Sequence, residues 1–146
     1  VRKVDLLVQD AVHRGAQVVL GGRPLDGPGS FYPPTVLVDV PPDARVLHEE
    51  VFGPVAPVVR FEREEGLLAL VNDTDLGLVS YLYTRDLARG LRLAQGLESG
   101  MVGLNRGLVS DPAAPFGGTK QSGLGREGST EGLLEFMEAQ YVATSW

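Results

Sequence analysis

Apolar residues near the start of the chain recur every three or four positions. Val4, Val8 and Val12 fall on one face of a helix, and Gly15 stands where this pattern stops. The next segment, Gln17–Leu20, is short and mostly β-branched or aliphatic, which is typical of a strand. This order predicts a helix that is followed by a strand.

Further segments rich in branched and aromatic residues predict more strands: Thr35–Val38, Val55–Phe61, Leu78–Tyr83 and Gly100–Asn105. Pro57 lies inside the second of them and restricts that segment to a sheet edge or a bulge, because proline has no amide hydrogen to donate. The last six residues, Tyr141–Trp146, are also β-prone and predict a terminal strand.

Helical periodicity predicts three more helices, at Glu64–Val71, Asp86–Leu97 and Thr130–Met137. Thr84 or Asp86 can cap the first turn of the middle one. A strand, a crossover helix and a second strand of these lengths predict a parallel βαβ unit, and the fold class is therefore α/β. Between this unit and the last helix, residues 106–125 form a long loop rich in Gly and Pro, where binding groups usually lie.

Composition narrows the class of protein. The net charge of −6 repels phosphate backbones and anionic lipids, so we expect neither a nucleic-acid nor a membrane partner. The chain has no cysteine, which excludes disulfides, thiolate metal sites and thiol catalysis within these 146 residues. The first residues open directly into the helical pattern without a signal peptide, and we expect a cytoplasmic protein.

Two short motifs suggest chemistry that the surrounding sequence does not support. Gly123–Gly128 matches the GxGxxG dinucleotide fingerprint, but the polar Thr119–Ser122 precedes it where an apolar strand is required. We therefore interpret it as a tight turn that enters the last helix. His48-Glu49-Glu50 would need a histidine at Phe52 to form a zinc-binding HExxH motif, so we expect no metal site.

The acidic pair Glu49-Glu50 has two interpretations. Such a pair is usually a solvated turn. Because Phe52-Gly53-Pro54 follows, the segment could instead hold one carboxylate and one ring rigidly in a cleft. A carboxylate can accept hydrogen bonds from both vicinal hydroxyls of a ribose, and a phenyl face suits a flat heterocycle such as nicotinamide.

Several motifs in the same order resemble the C-terminal part of an NAD(P)-dependent aldehyde dehydrogenase: Gly15–Gly22, Phe31–Thr35, Glu49–Pro54, Asn72–Leu78, Gly100–Asn105 and Pro115–Gly118. Gly107–Ser110, Ala114–Phe116 and Gly125–Ser129 are most similar to the succinate-semialdehyde branch of that family. The resemblance implies part of the catalytic domain, with a mostly parallel sheet, over residues 1–137. It implies an oligomerisation strand over residues 138–146.

The resemblance also implies site residues. Glu50 matches the carboxylate that holds the ribose next to nicotinamide, and Phe52 matches the ring packed near nicotinamide. Ser110 falls where the succinate-semialdehyde branch contacts the distal carboxylate of its substrate, and Phe116 matches an aromatic beside the aldehyde tunnel. Tyr141–Trp146 falls on the strand through which the family forms homo-oligomers.

The family's nucleophilic cysteine, general-base glutamate and dinucleotide-binding domain all precede the segment that this chain matches. In the intact enzyme the thiolate adds to the aldehyde, hydride passes to nicotinamide, and water hydrolyses the thioester. We therefore expect a fragment with no catalytic residue of its own. It supplies walls for an aldehyde such as succinate semialdehyde and for NAD or NADP, and we do not expect it to bind the cofactor alone.

Two alternatives stay open on the sequence. The first is a stand-alone, non-catalytic interaction module that keeps the fold and the oligomerising tail. The second is an unrelated α/β hydrolase, which the absence of a GxSxG motif disfavours.

Overall fold

The computed structural model describes all residues from Val1 to Trp146. They form two compact units, Val1–Leu67 and Leu68–Trp146. The elements, in chain order, are α1 Arg2–His13, β1 Gln17–Leu20, β2 Thr35–Val38, β3 Val55–Pro57, α2 Leu67–Asn72, β4 Leu76–Gly77, β5 Val79–Leu82, α3 Leu87–Gly96, β6 Met101–Leu104, β7 Thr119–Lys120 and α4 Ser129–Leu134. A 3₁₀ turn, Arg45–Leu47, precedes β3. The predicted α/β class is confirmed, whereas the predicted division at residues 137 and 138 stays a prediction.

In the first unit, α1 packs its apolar face into the core. Leu7, Val8 and Ala11 of this helix are fully buried together with Leu37 of β2, which is the pattern that the spacing of apolar residues predicts. The three strands lie in the order β1-β2-β3, with β1 antiparallel and β3 parallel to the central β2. The helix therefore rests against a sheet whose central strand contributes to the same core.

One polar side chain is buried in the first unit. Thr35, at the start of β2, is only 2% exposed. Its hydroxyl accepts a hydrogen bond from the amide of Gly22 (2.9 Å) and donates one to the carbonyl of Pro33 (3.0 Å). Both hydrogen-bonding functions are satisfied, as burial of a hydroxyl requires.

The second unit contains the predicted parallel βαβ unit. Strands β5 and β6 pair in parallel from Val79↔Met101 to Leu82↔Leu104, and α3 connects them. Asp86 is the N-cap of α3, and its carboxylate accepts the amide of Arg89 (3.0 Å). The second strand pair of this unit, β4 with β7, is antiparallel and places a short strand inside the predicted loop 106–125.

The glycine-rich motif is a turn, as predicted. Gly123 and Gly128 have left-handed φ angles of +123° and +71°, and α4 begins directly after Gly128. Positive φ angles favour glycine, so the backbone of the turn accounts for both residues.

Four predicted elements differ from the structure by more than one end residue. The last helix, predicted over Thr130–Met137, ends at Leu134. The strand predicted over Val55–Phe61 ends at Pro57, and α2 starts at Leu67 because Gly66, with φ +85°, interrupts the predicted helix. Tyr141–Trp146 forms no strand within the single chain, since no other segment pairs with it, and Tyr141 is 90% exposed. None of the helices has the length and apolarity that a membrane crossing requires.

Candidate functional site

The segment from His48 to Pro54 is anchored at its C-terminal end. The carbonyl of Pro54 accepts the amide of Thr35 (2.8 Å), and the carbonyl of Gly53 accepts the amide of Val55 (2.8 Å). Gly53 also lies directly against α1, because a Cβ atom at this position would come within 2.6 Å of Cγ2 of Val4. The first helix and the central strand thus fix where this segment ends.

The N-terminal end of the segment is held by the 3₁₀ turn. Nε of Arg45 lies 2.6 Å from a carboxylate oxygen of Glu49, and this contact is the main cause that lowers the pKa of Glu49. The ring Nε2–H of His48 donates to the carbonyl of Pro42 (2.7 Å). Glu49 is therefore already engaged within the protein.

Glu50 and Phe52 are turned outward between these anchors. Glu50 is exposed and receives no hydrogen bond from the chain, so of the two adjacent carboxylates it is the one available to a ligand. Phe52 is 88% exposed and has a φ of +47°, an uncommon angle for a bulky residue that costs on the order of 1–3 kcal/mol. The segment therefore carries an unpartnered carboxylate and an exposed ring two positions apart.

Ser110 lies in the second unit, on the loop that follows β6. It is exposed and directly precedes a tight turn in which the carboxylate of Asp111 accepts the amide of Ala113 (2.9 Å). The carbonyl of Pro112 accepts the amide of Ser129 (3.0 Å), which fastens the turn to the first residue of α4. The hydroxyl of Ser110 is therefore presented from a fixed turn.

Phe116 is half-buried in the same loop. Its amide donates to the carbonyl of Glu127 (2.7 Å) and its carbonyl accepts the amide of Glu127 (2.8 Å). The guanidinium of Arg126 donates to the carbonyls of Gly118 (2.7 Å) and Gly125 (2.8 Å), and so joins the two limbs of the loop. This bridge holds the backbone that carries Phe116.

The structure therefore groups the four predicted residues in two pairs, with Glu50 and Phe52 in the first unit and Ser110 and Phe116 in the second. The sequence did not predict that Arg126 bridges the loop that carries Phe116. The only sign of Arg126 in the sequence is its place in the glycine-rich motif. No group of His, Asp and Glu side chains is placed to hold a metal ion.

Comparisons with known proteins place the chain in a family. The model of the aldehyde dehydrogenase family matches residues 1–142. The chain is 55% identical to a succinate-semialdehyde dehydrogenase of Paenarthrobacter nicotinovorans, over 95% of this chain and 31% of that protein. It is 54% identical to a glutarate-semialdehyde dehydrogenase of Pseudomonas aeruginosa, over 97% of this chain and 29% of that protein.

A solved structure gives the same result. A crystal structure of an NADP-dependent enzyme of Escherichia coli matches with a TM-score of 0.90 and 50% identity, over 94% of this chain and 29% of that chain. The chain thus spans about three tenths of the length of the curated relatives that it matches. Its motifs, its fold and the family match agree, and the chain belongs to the aldehyde dehydrogenase family.

Proposed function

We propose that this chain is the C-terminal segment of an NAD(P)-dependent aldehyde dehydrogenase and forms cofactor and substrate walls without supplying the nucleophile. The observation that carries the proposal is the pair Glu50 and Phe52. One carboxylate of the acidic pair is used internally, whereas the other is exposed and lies two positions before an exposed ring. A dissociable ligand with vicinal hydroxyls and a flat heterocycle accounts for both features.

The proposed roles follow the chemistry of each side chain. Glu50 accepts hydrogen bonds from the two hydroxyls of the ribose, and the Phe52 ring packs near the nicotinamide. NAD or NADP, when bound, accepts the hydride from the substrate. The residues of this chain bind and orient the cofactor and the aldehyde. The thiol that attacks the aldehyde lies outside them, because the chain has no cysteine.

The proposed substrate is a short aldehyde that carries a carboxylate at its other end. Two relatives are named as dehydrogenases of succinate semialdehyde and of glutarate semialdehyde. Both aldehydes carry such a carboxylate, and they differ by one methylene. The exposed hydroxyl of Ser110 can donate one hydrogen bond to the distal carboxylate, and Phe116 offers an apolar wall to the carbon chain.

A chimera tests the proposal. This chain replaces the matching segment of the P. nicotinovorans relative, and the 55% identity makes the exchange conservative. We expect the 146-residue chain alone to reduce no nicotinamide cofactor with succinate semialdehyde, whereas the chimera does. Turnover by the homogeneous chain alone, or a folded chimera that binds no cofactor, would refute the proposal.

Ser110 is tested in the same chimera. Ser110→Ala should raise the KM for succinate semialdehyde by about tenfold, the effect of one hydrogen bond to a charged group, and leave the KM for butanal nearly unchanged. Ser99→Ala is the matched control, because that hydroxyl bonds to the carbonyl of Met101 within the protein (3.0 Å). Equal effects of Ser110→Ala on both aldehydes would argue against its role.

A further inference from the structure

The 3₁₀ turn that precedes the Glu50 segment lacks a cap of its own. Its N-cap residue is Ala44, whose side chain cannot accept a hydrogen bond. The amide of Arg45 donates instead to the carboxylate of Asp10, on α1, at 3.0 Å. A residue 35 positions earlier in the chain therefore supplies the cap.

Asp10 is itself fixed in place. Its side chain is only 18% exposed, and Nε of Arg14 lies 3.0 Å from its carboxylate. Arg14 also contacts the carboxylate of Asp43, in the loop before the turn, at 2.5 Å. Because the same helix buries Leu7 and Ala11 in the core, Asp10 projects from a rigid support.

The cap leads directly to the carboxylate proposed to bind the ribose. The carbonyl of Arg45 accepts the amides of His48 (3.1 Å) and Glu49 (2.9 Å), and its guanidinium contacts the Glu49 carboxylate. Arg45 is therefore held through its amide by Asp10 and in turn fixes the two residues before Glu50. Removing the cap takes away one of the contacts that hold this end of the segment, while the bond from His48 to Pro42 and the contact between Arg45 and Glu49 remain.

We propose that Asp10 is a positioning residue for cofactor binding, which sets the place of Glu50 through the capped turn at Arg45. This inference rests on the proposed function, because it takes Glu50 as the group that contacts the ribose. Asp10 itself does not touch the cofactor. The role predicts an effect on cofactor affinity rather than on the aldehyde.

Two variants in the chimera separate positioning from support of the fold. Asp10→Ala removes the acceptor of the Arg45 amide, and Asp10→Asn keeps an acceptor oxygen without the charge. We expect Asp10→Ala to raise the Kd for the cofactor by about tenfold, the effect of weakening one hydrogen bond to a charged group, with the KM for succinate semialdehyde changed less than twofold. Asp10→Asn should restore most of the affinity. Asp43→Ala, which breaks only the outer contact of Arg14, is the matched control.

The turn can also be followed without the cofactor. In the 146-residue chain, Asp10→Ala should speed hydrogen exchange at the amides of His48 and Glu49, which both bond to the carbonyl of Arg45, while the amides of β2 keep their rates. Calorimetric titration of the chimera gives the Kd for the cofactor. Circular dichroism shows whether each variant is folded. Either an unchanged Kd or unchanged exchange in Asp10→Ala would overturn the inference, as would Asp10→Asn binding as weakly as Asp10→Ala.

A Glu50→Gln variant keeps the two proposals distinguishable. If Glu50→Gln binds cofactor as tightly as the parent, the assignment of Glu50 fails, and the positioning role fails with it. If Glu50→Gln binds weakly while Asp10→Ala binds normally, the proposed function stands and only the role of Asp10 is overturned.

Discussion

Adding one methyl group at Gly53 should push the proposed cofactor segment away from the first helix. A Cβ atom there would lie 2.6 Å from Cγ2 and 3.3 Å from Cγ1 of Val4, whereas carbon atoms in contact normally stay about 3.5–4.0 Å apart. Val4 is only 5% exposed and, as a β-branched residue in a helix, strongly prefers one rotamer. Segment and helix must therefore separate by roughly 1 Å.

The cost follows from overpacking. Gly53→Ala should destabilise the chain by about 1–3 kcal/mol, the usual range for an extra methylene in a packed site. Backbone strain does not add to this cost, because Gly53 is not among the glycines with a left-handed φ. Val4→Ala alone should cost about 2 kcal/mol through lost burial, but it removes the atoms that clash. The stability lost by the double variant should then be smaller than the sum of the two single losses, by about 1 kcal/mol or more.

Urea unfolding followed by circular dichroism measures these free energies. Gly107→Ala is the control, since its Cβ would meet only the Tyr83 hydroxyl at 3.5 Å, and it should leave stability within about 1 kcal/mol of the parent. Strictly additive effects of Gly53→Ala and Val4→Ala would contradict the close contact between α1 and the segment.

Three other changes give separate expectations. Asn72→Ala should lower the free energy of unfolding by about 1–3 kcal/mol in urea titrations, because its amide bonds both the Gly96 carbonyl (2.8 Å) and the Glu98 amide (3.0 Å). Burial, helped by the Asp5 carboxylate, raises the pKa of Tyr32 to about 12. The folded chain then holds the phenol proton more tightly than the unfolded chain, so stability should fall from about pH 10 towards 12, and Tyr32→Phe should remove this slope. Deleting residues 140–146 should shift light scattering towards monomer, whereas a parent chain that is already monomeric would contradict the oligomerisation role.

Local pattern in the sequence was enough to predict several elements. The helix α1 follows from the spacing of Val4 and Val8, and the βαβ unit follows from two apolar strands around a helix capped by Asp86. These features depend on residues that are close in sequence. The tail Tyr141–Trp146 differs, because a strand requires a partner and the chain provides none.

The site was only partly predictable for the same reason. The sequence places a carboxylate pair before Phe52, but which carboxylate is free depends on Arg45, and the turn at Arg45 depends on Asp10. Contacts between residues 35 positions apart have no periodic signal. The left-handed backbone of Phe52 is likewise invisible in the sequence, because a bulky residue has no local preference for it.

The rate of hydride transfer in the chimera tests the central claim most directly. A single-turnover experiment with succinate semialdehyde compares Glu50→Gln with Glu62→Gln, an exposed carboxylate of the same unit. Glu50→Gln loses a hydrogen bond to a charged group, so its rate of hydride transfer at a fixed cofactor concentration should fall by about tenfold or more. Its free energy of unfolding should stay unchanged. Glu62→Gln should match the parent. Equal rates for the parent and both variants would contradict the account.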